Sequence, residues 1–264
     1  MKPNKKEIIN LCIFTVIILA GLIGILLFCM PKTIPAGNTT PPPSSSAPEE
    51  TPKADPSPSP SPVPLPTGFV YVTDVVPDVI VKLKYYGTDN FVGRQIPGYE
   101  ANKAILTEEA ANALAKAAAI AAKSGYRLVI YDAYRPADAV AYFVAWGQDS
   151  QDLLMKEQYY PNLTKEQLFG MYIASKSNHS KGSTVDITLA DATGTELDMG
   201  SPLDVFDEKA NTYSQNVPQS AFQNRILLRD IMQEAGFSGS STEWWHFRLE
   251  NEPYPDTYFN FYIR

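Results

Sequence analysis

Cysteine is nearly missing: the chain has two, Cys12 and Cys29, both within its first 30 residues. Everything beyond them lacks a disulfide and a thiol nucleophile, which excludes cysteine-protease chemistry there. Histidine is as scarce, with His179 and His246 the only two. Clustered positive charge is missing too. Taking the +2 of residues 1–30 and the −1 of residues 31–66 from the formal −7 of the chain leaves −8 on residues 67–264. An acidic segment without basic clusters argues against nucleic acid or anionic lipid as partner. There is no internal repeat.

Composition divides the chain into three. Lys2, Lys5 and Lys6 precede an apolar run from Ile8 to Met30 that Asn10 interrupts. Its length suits a membrane-spanning helix, which needs roughly 20 apolar residues; the apolar core of a cleaved signal peptide, the competing reading, runs to about 7–15. Residues 1–30 therefore read as an uncleaved anchor. The basic flank predicts its N-terminus in the cytoplasm and the rest of the chain outside, in a cell wall or periplasm. Phe28 stands before Cys29 where a lipoprotein site expects a small residue. Residues 31–66 hold 13 of the 22 prolines, mixed with Ser and Thr. Such a segment has too little apolar surface to fold and favours extended polyproline II. At roughly 3.1 Å per residue it reaches on the order of 100 Å, enough to hold a domain off a membrane, although a plain spacer has the same composition. Residues 67–264 are the folded unit, long enough for one substantial core.

Within that unit, Phe69 to Asp74 and Val79 to Tyr85 alternate as strands do, with Pro77-Asp78 as the turn between them. Lys84 to Gly93 reads as an aromatic-rich surface loop. Thr107 caps a helix running to Ser124, with Glu108 and Glu109 at its positive end and Gly125 beyond it. Arg127 to Asp132 reads as a buried strand, and Pro136 opens a second helix to about Trp146. Arg135 stands at that strand-to-helix corner, where side chains often face a cleft; taken alone it also reads as a surface charge. A polar helix at about Lys165 to Ala174, a loop over Asp198 to Asp204, a helix from Gln219 to Ala235 and a strand from Thr242 to Leu249 complete the pattern. The fold class expected is α+β, with helices packed on one mainly antiparallel sheet.

The chemistry lies around the two histidines. In Ser177 to Leu189, His179 and Asp186 are seven apart, and Glu243 precedes His246 by three. Imidazole and carboxylate both suit zinc, and a catalytic zinc takes three protein ligands and keeps one open position. His179, Asp186 and His246 fill those places. Residues seven apart on one regular strand face opposite sides, so the reading requires a turn around Lys181-Gly182-Ser183. Val185, Ile187 and Leu189 then take the buried face of the following strand, with Asp186 and Thr188 on the other. Glu243 is placed to move a proton and Arg135 to stabilise a developing oxyanion. Together these groups describe a peptide or amide hydrolase; the alternative makes both histidines structural.

The segments Tyr-Asp-Ala-Tyr-Arg-Pro at 131–136, Ser177 to Asp186 and Glu-Trp-Trp-His at 243–246 resemble the D-alanyl-D-alanine dipeptidases, the VanX-like branch of zinc peptidases related to D,D-carboxypeptidases and hedgehog domains. The likeness extends through Leu83 to Gly93, Asp198 to Gly200 and Glu252 to Phe259. It implies a hedgehog-like zinc domain, one Zn²⁺ held by His179, Asp186 and His246, Glu243 as general base and acid, and Arg135 on the transition state. It also implies that Ser177, Tyr85 and Asp198 contribute to a small closed pocket gripping a free D-Ala-D-Ala dipeptide by both termini. Trp244 marks the dipeptidase branch, since Pro is the more familiar residue there among D,D-carboxypeptidases that trim peptidoglycan stems. A zinc-bound module without catalysis, the third reading, is disfavoured by the presence of both Glu243 and Arg135. Residues 1–66 depart from the family's cytoplasmic resistance enzymes. An exported domain would scavenge released dipeptides or trim stems through a more open pocket.

Overall fold

The computed structural model describes residues 64–264. The expected anchor at 1–30 and the expected linker up to residue 63 lie outside the described residues. Among the described residues no helix is long and apolar enough to cross a membrane.

The elements, in chain order, are β1 (Phe69–Tyr71), α1 (Val72–Val75), β2 (Ile80–Val81), β3 (Ile105–Thr107), α2 (Glu108–Lys123), β4 (Arg127–Asp132), α3 (Ala137–Gln148), α4 (Lys156–Tyr159), α5 (Lys165–Leu168), β5 (Thr184–Ala190), α6 (Gln219–Glu234), β6 (Phe237–Gly239) and β7 (His246–Leu249). Five strands form one sheet in the order β2-β4-β5-β7-β6, antiparallel except for the β2–β4 pair. β1 and β3 form a separate antiparallel pair. This is the expected α+β class.

α2 forms where its sequence directs it. The Thr107 hydroxyl accepts from the Ala110 N–H, two glutamates occupy the first turn, and Gly125 follows with φ +79°. Ala110, Ala113, Leu114, Ala117 and Ala121 are buried at helical spacing. The alanines let the helix lie close on β4 and against α6. Burying Leu114 completely contributes about 1.5–3 kcal/mol. Pro136 precedes α3 as expected of a residue that fits a helix start.

Several expected elements are shorter or differently joined. Phe69 to Asp74 does not continue as a strand, because the Val72 N–H turns to the Ala104 carbonyl and residues 72–75 close one helical turn. β1 consequently pairs with β3, and β2 is two residues long. The side chain of Asn102 ends it by accepting from the Leu83 N–H and donating to the Val81 carbonyl. Lys84 to Tyr86 is then a 3₁₀ turn. The stretch around it is no ordinary surface loop: Asn90, almost fully buried, donates to the carbonyls of Lys84, Gly87 and Arg94 and accepts from Val92 and Gly93. The helix expected from Lys165 stops at Leu168, where Phe169 becomes extended and Gly170 takes φ +79°. β7 starts at His246, since residues 242–245 turn and the His246 N–H donates to the Glu243 carbonyl.

The sheet's register sets the site. β4 and β5 pair Ile130 with Ile187 and then Asp132 with Asp186, so Tyr131 is one extra residue on β4. Such a bulge re-aims the side chains beyond it. Asp186 in turn pairs with His246 on β7. Residues directly opposite share a face, so Asp132, Asp186 and His246 line up across three strands. Contrary to the expected half-open strand, all seven residues of β5 are buried, Asp186 and Thr188 included, because the segments around the site cover that second face.

Candidate active site

His179 reaches this row from a 3₁₀ turn, Asn178–Lys181, in the segment before β5. Gly182 ends the turn with φ +83°, a conformation natural to glycine. A Cβ there would lie 2.3 Å from Cε1 of Phe69. The reversal expected around Lys181 to Ser183 is thus present, and it overcomes the strand parity that separates positions seven apart. The C-terminal segment covers the turn: the Phe259 N–H donates to the Ser180 carbonyl, and Glu252 meets Lys181 at 3.1 Å.

His179 Nδ1 lies 2.7 Å from the Ala133 carbonyl. That contact assigns the proton to Nδ1 and leaves the Nε2 lone pair facing the sheet. Nε2 is 3.3 Å from His246 Nδ1 and 3.3 Å from Asp186 Oδ1, and the last two atoms are 3.0 Å apart. Tetrahedral zinc at about 2.0–2.1 Å from its ligands separates those ligands by about 3.3 Å. The three donor atoms are therefore spaced as ligands of one ion, and the backbone carbonyl behind His179 is the outer contact such ligands commonly have. The residues fit the metal. Although burial alone would raise it, contact with His179 and His246 holds the Asp186 carboxyl well below its ordinary range. Burial works against charge on His246, yet the Asp186 hydrogen bond raises its pKa overall.

Two further groups face the same space. The Glu243 carboxylate is 3.7 Å from His246 Nδ1, and its pKa is raised, chiefly by burial. Arg135 holds Asp132 Oδ2 through Nε at 2.9 Å and Nη2 at 2.8 Å, and Nη2 is 3.5 Å from Asp186. Its guanidinium lies over the rings of Tyr85 and Phe143. Asp132, fully buried, also accepts from Tyr99 and sits 3.4 Å from His179 Nδ1. One carboxylate thus holds the Arg135 guanidinium and stands beside the candidate ligand His179.

His179, Asp186, His246, Glu243 and Arg135 line a cavity of about 340 Å³ that also includes Tyr85, Ser177, Asp204 and Trp245. Of the residues named from sequence, His179, Asp186, His246, Glu243, Arg135, Tyr85 and Ser177 come together here. Asp198 does not. It is exposed, its Oδ1 accepts from the Gly200 N–H in a tight turn, and it lines a separate depression beside Trp244. Asp204, at the other end of the same loop, enters the cavity instead. Its Oδ2 accepts from the Tyr85 hydroxyl at 2.8 Å, and burial, with repulsion from Asp186, pushes its carboxyl up to about 8. Asp204 has φ +58°, which aspartate tolerates better than most residues. Sequence reasoning missed both Asp132 and Asp204. Asp132 was visible inside the 131–136 segment, whereas nothing local separates Asp204 from Asp198.

Comparison with known proteins shows what the chain is similar to. The peptidase M15 family profile, described as D-ala-D-ala dipeptidase, matches residues 66–264. A D-alanyl-D-alanine dipeptidase of Enterococcus faecalis is 43% identical over 198 residues, covering 74% of this chain and 98% of the relative. Its counterpart in Enterococcus faecium is 41% identical, with 75% and 98% covered. One from Streptomyces coelicolor is 39% identical, with 74% and 98% covered.

Proposed function

The chain belongs to the D-Ala-D-Ala dipeptidase family of zinc metallopeptidases, and from that premise we propose that it hydrolyses D-Ala-D-Ala with Glu243 as proton carrier and Arg135 as oxyanion partner. The observation that carries this reading is the meeting of five groups, His179, Asp186, His246, Glu243 and Arg135, in one small cavity.

His179, Asp186 and His246 would hold the zinc. When bound, zinc supplies Lewis acidity and a water acidic enough to attack near neutral pH. Glu243 takes the proton of the attacking water and returns it to the leaving amine; a raised carboxyl pKa suits both halves of that task. Arg135 bears on the oxygen that gains charge, in a site where burial strengthens the interaction. Asp132 keeps the guanidinium aimed, and the Ala133 carbonyl keeps His179 in the tautomer with Nε2 free. Tyr85 and Asp204 form a buried wall of oxygen acceptors that fits a terminal ammonium, whose charge would draw the proton off Asp204, and Ser177 offers a hydroxyl at the rim. Small-molecule sites run from about 300 to 1,000 Å³; about 340 Å³ is near the lower end and favours a free dipeptide over a longer stem.

The hedgehog-like kinship of the domain belongs to the same reading. So does export: the basic flank and apolar run at residues 2–30 and the proline-rich residues 31–66 support a catalytic domain tethered outside the cell membrane. The test is to supply the zinc-loaded full chain with D-Ala-D-Ala and, separately, with a wall pentapeptide ending in that pair, and to detect free alanine by mass spectrometry. Cleavage of the dipeptide alone is expected. Efficient cleavage of the pentapeptide would move the function to stem trimming, and cleavage of neither would overturn the reading.

A further inference from the structure

The cavity wall carries two cations, Arg135 and Lys176. Arg135 is engaged by Asp132 and Asp186. Lys176 makes no ion pair among the described residues; its ammonium lies 4.9 Å above the ring of Tyr258, which the C-terminal segment brings to the rim. Lys181 reaches the same ring at 5.6 Å but is paired with Glu252. The two residues after Lys176 continue the strip. Ser177 Oγ accepts from the His179 N–H, so its own proton is free to point outward. Asn178 is exposed, and its side chain makes no hydrogen bond among the described residues. A cation, a hydroxyl donor and an amide donor thus stand consecutively beside the candidate metal ligand His179.

We infer that Lys176, assisted by Asn178, is a specificity residue that selects substrates with a free C-terminal carboxylate. This rests on the dipeptidase reading above and adds to it. The carboxyl groups on the wall, Asp186, Asp204 and Glu243, are assigned to the metal, to an ammonium or to proton transfer. A dipeptide's carboxylate lacks a partner among them. Lys176 is exposed, so its contribution resembles that of a solvent-facing ion pair and corresponds to about a fivefold effect, reduced by salt.

The test compares D-Ala-D-Ala with its C-terminal amide on the zinc-loaded full chain, for the wild type, Lys176→Met and Lys176→Arg. Lys176→Met is expected to lower kcat/KM for the free acid about fivefold, mainly through KM, and to change the amide less than twofold at equal zinc content. Lys176→Arg restores most of the preference. An equal fall on both substrates, or none on the acid, overturns the assignment and leaves the dipeptidase reading intact. Failure of the wild type to cleave the dipeptide sinks both together.

Discussion

Replacing Asp132 by Asn changes one atom and tests whether a single buried carboxylate organises the site. The side chain is fully buried and accepts from Arg135 Nε, Arg135 Nη2 and the Tyr99 hydroxyl. An amide offers one acceptor oxygen. If it faces Arg135, its NH₂ meets the Tyr99 hydroxyl; if it faces Tyr99, two guanidinium donors meet an NH₂. Burial holds the Asp132 pKa above its ordinary value even though Arg135 and His179 oppose the rise, and removing its charge leaves Arg135 to Asp186 alone. Breaking a buried pair by changing one partner costs about 3–5 kcal/mol. That cost is expected as stability, read from urea unfolding of the zinc-free protein. Turnover is a separate reading: an oxyanion donor that is no longer aimed lowers kcat by up to about 10²–10³. Zinc content, measured by atomic absorption, should stay near one per chain, because Asp132 is not among the three ligands. A variant with normal kcat would refute the claim that Asp132 aims Arg135. Loss of zinc with normal stability would mean that Asp132 acts through His179 instead.

Glu243→Ala should retain zinc and lose on the order of 10² or more in turnover, whereas His246→Ala should lose metal and activity together; metal analysis beside a D-alanine assay separates them, and unchanged metal in the second would displace the ligand set. Gly182→Ala forces a Cβ into a left-handed position 2.3 Å from the Phe69 ring, which is stacked on Tyr254 and wedged by Phe259 and Phe261. Left-handed strain and overpacking together cost about 2–4 kcal/mol, or roughly 5–15 °C in Tm for a domain of this size, and a calorimetric loss under 2 °C would contradict the packing described. Asp204 titrates at about 8 when folded, above its ordinary carboxyl value of 3.8. The folded state therefore binds the extra proton between those limits, and the zinc-free protein should lose up to about 1.4 kcal/mol per pH unit as pH rises from about 4 to 8. Asp204→Asn should flatten that slope, and equal slopes in urea titrations would show that Asp204 is ionised without cost.

The parts of the fold that were legible in sequence are those decided locally. α2 carries its cap, its acidic first turn and its stop glycine within 19 residues, and the structure reproduces it to within a residue. The turn that unites His179 with Asp186 was inferable because the two cannot face the same side of one regular strand and Gly182 permits a reversal. β1 and β2 were misjudged because alternation reports a half-buried strand without naming its partner: Phe69–Tyr71 pairs with Ile105–Thr107, some 36 residues away, not with Ile80–Val81. Asn90 lay in a stretch that read as an ordinary surface loop, since only the folded backbone shows how many peptide groups it satisfies. The exchange of Asp198 for Asp204 has the same origin. Two aspartates at the ends of one loop carry equal local information, and it is Tyr85, 119 residues distant in sequence, that selects one of them.

The bulge at Tyr131 gives the chain one place where length matters separately from side-chain identity. A substitution at Tyr131 alters one ring and its hydrogen bond to Glu196. Deleting one residue between Ile130 and Asp132 leaves the aspartate opposite Asp186 but removes the bulge that re-aims the chain beyond it, drawing Ala133 and Arg135 back along the strand and away from His179. Single-residue deletions along β4 should therefore report on the length of the strand at this point, which substitutions of the Tyr131 ring leave unchanged and substitution scanning alone would pass over.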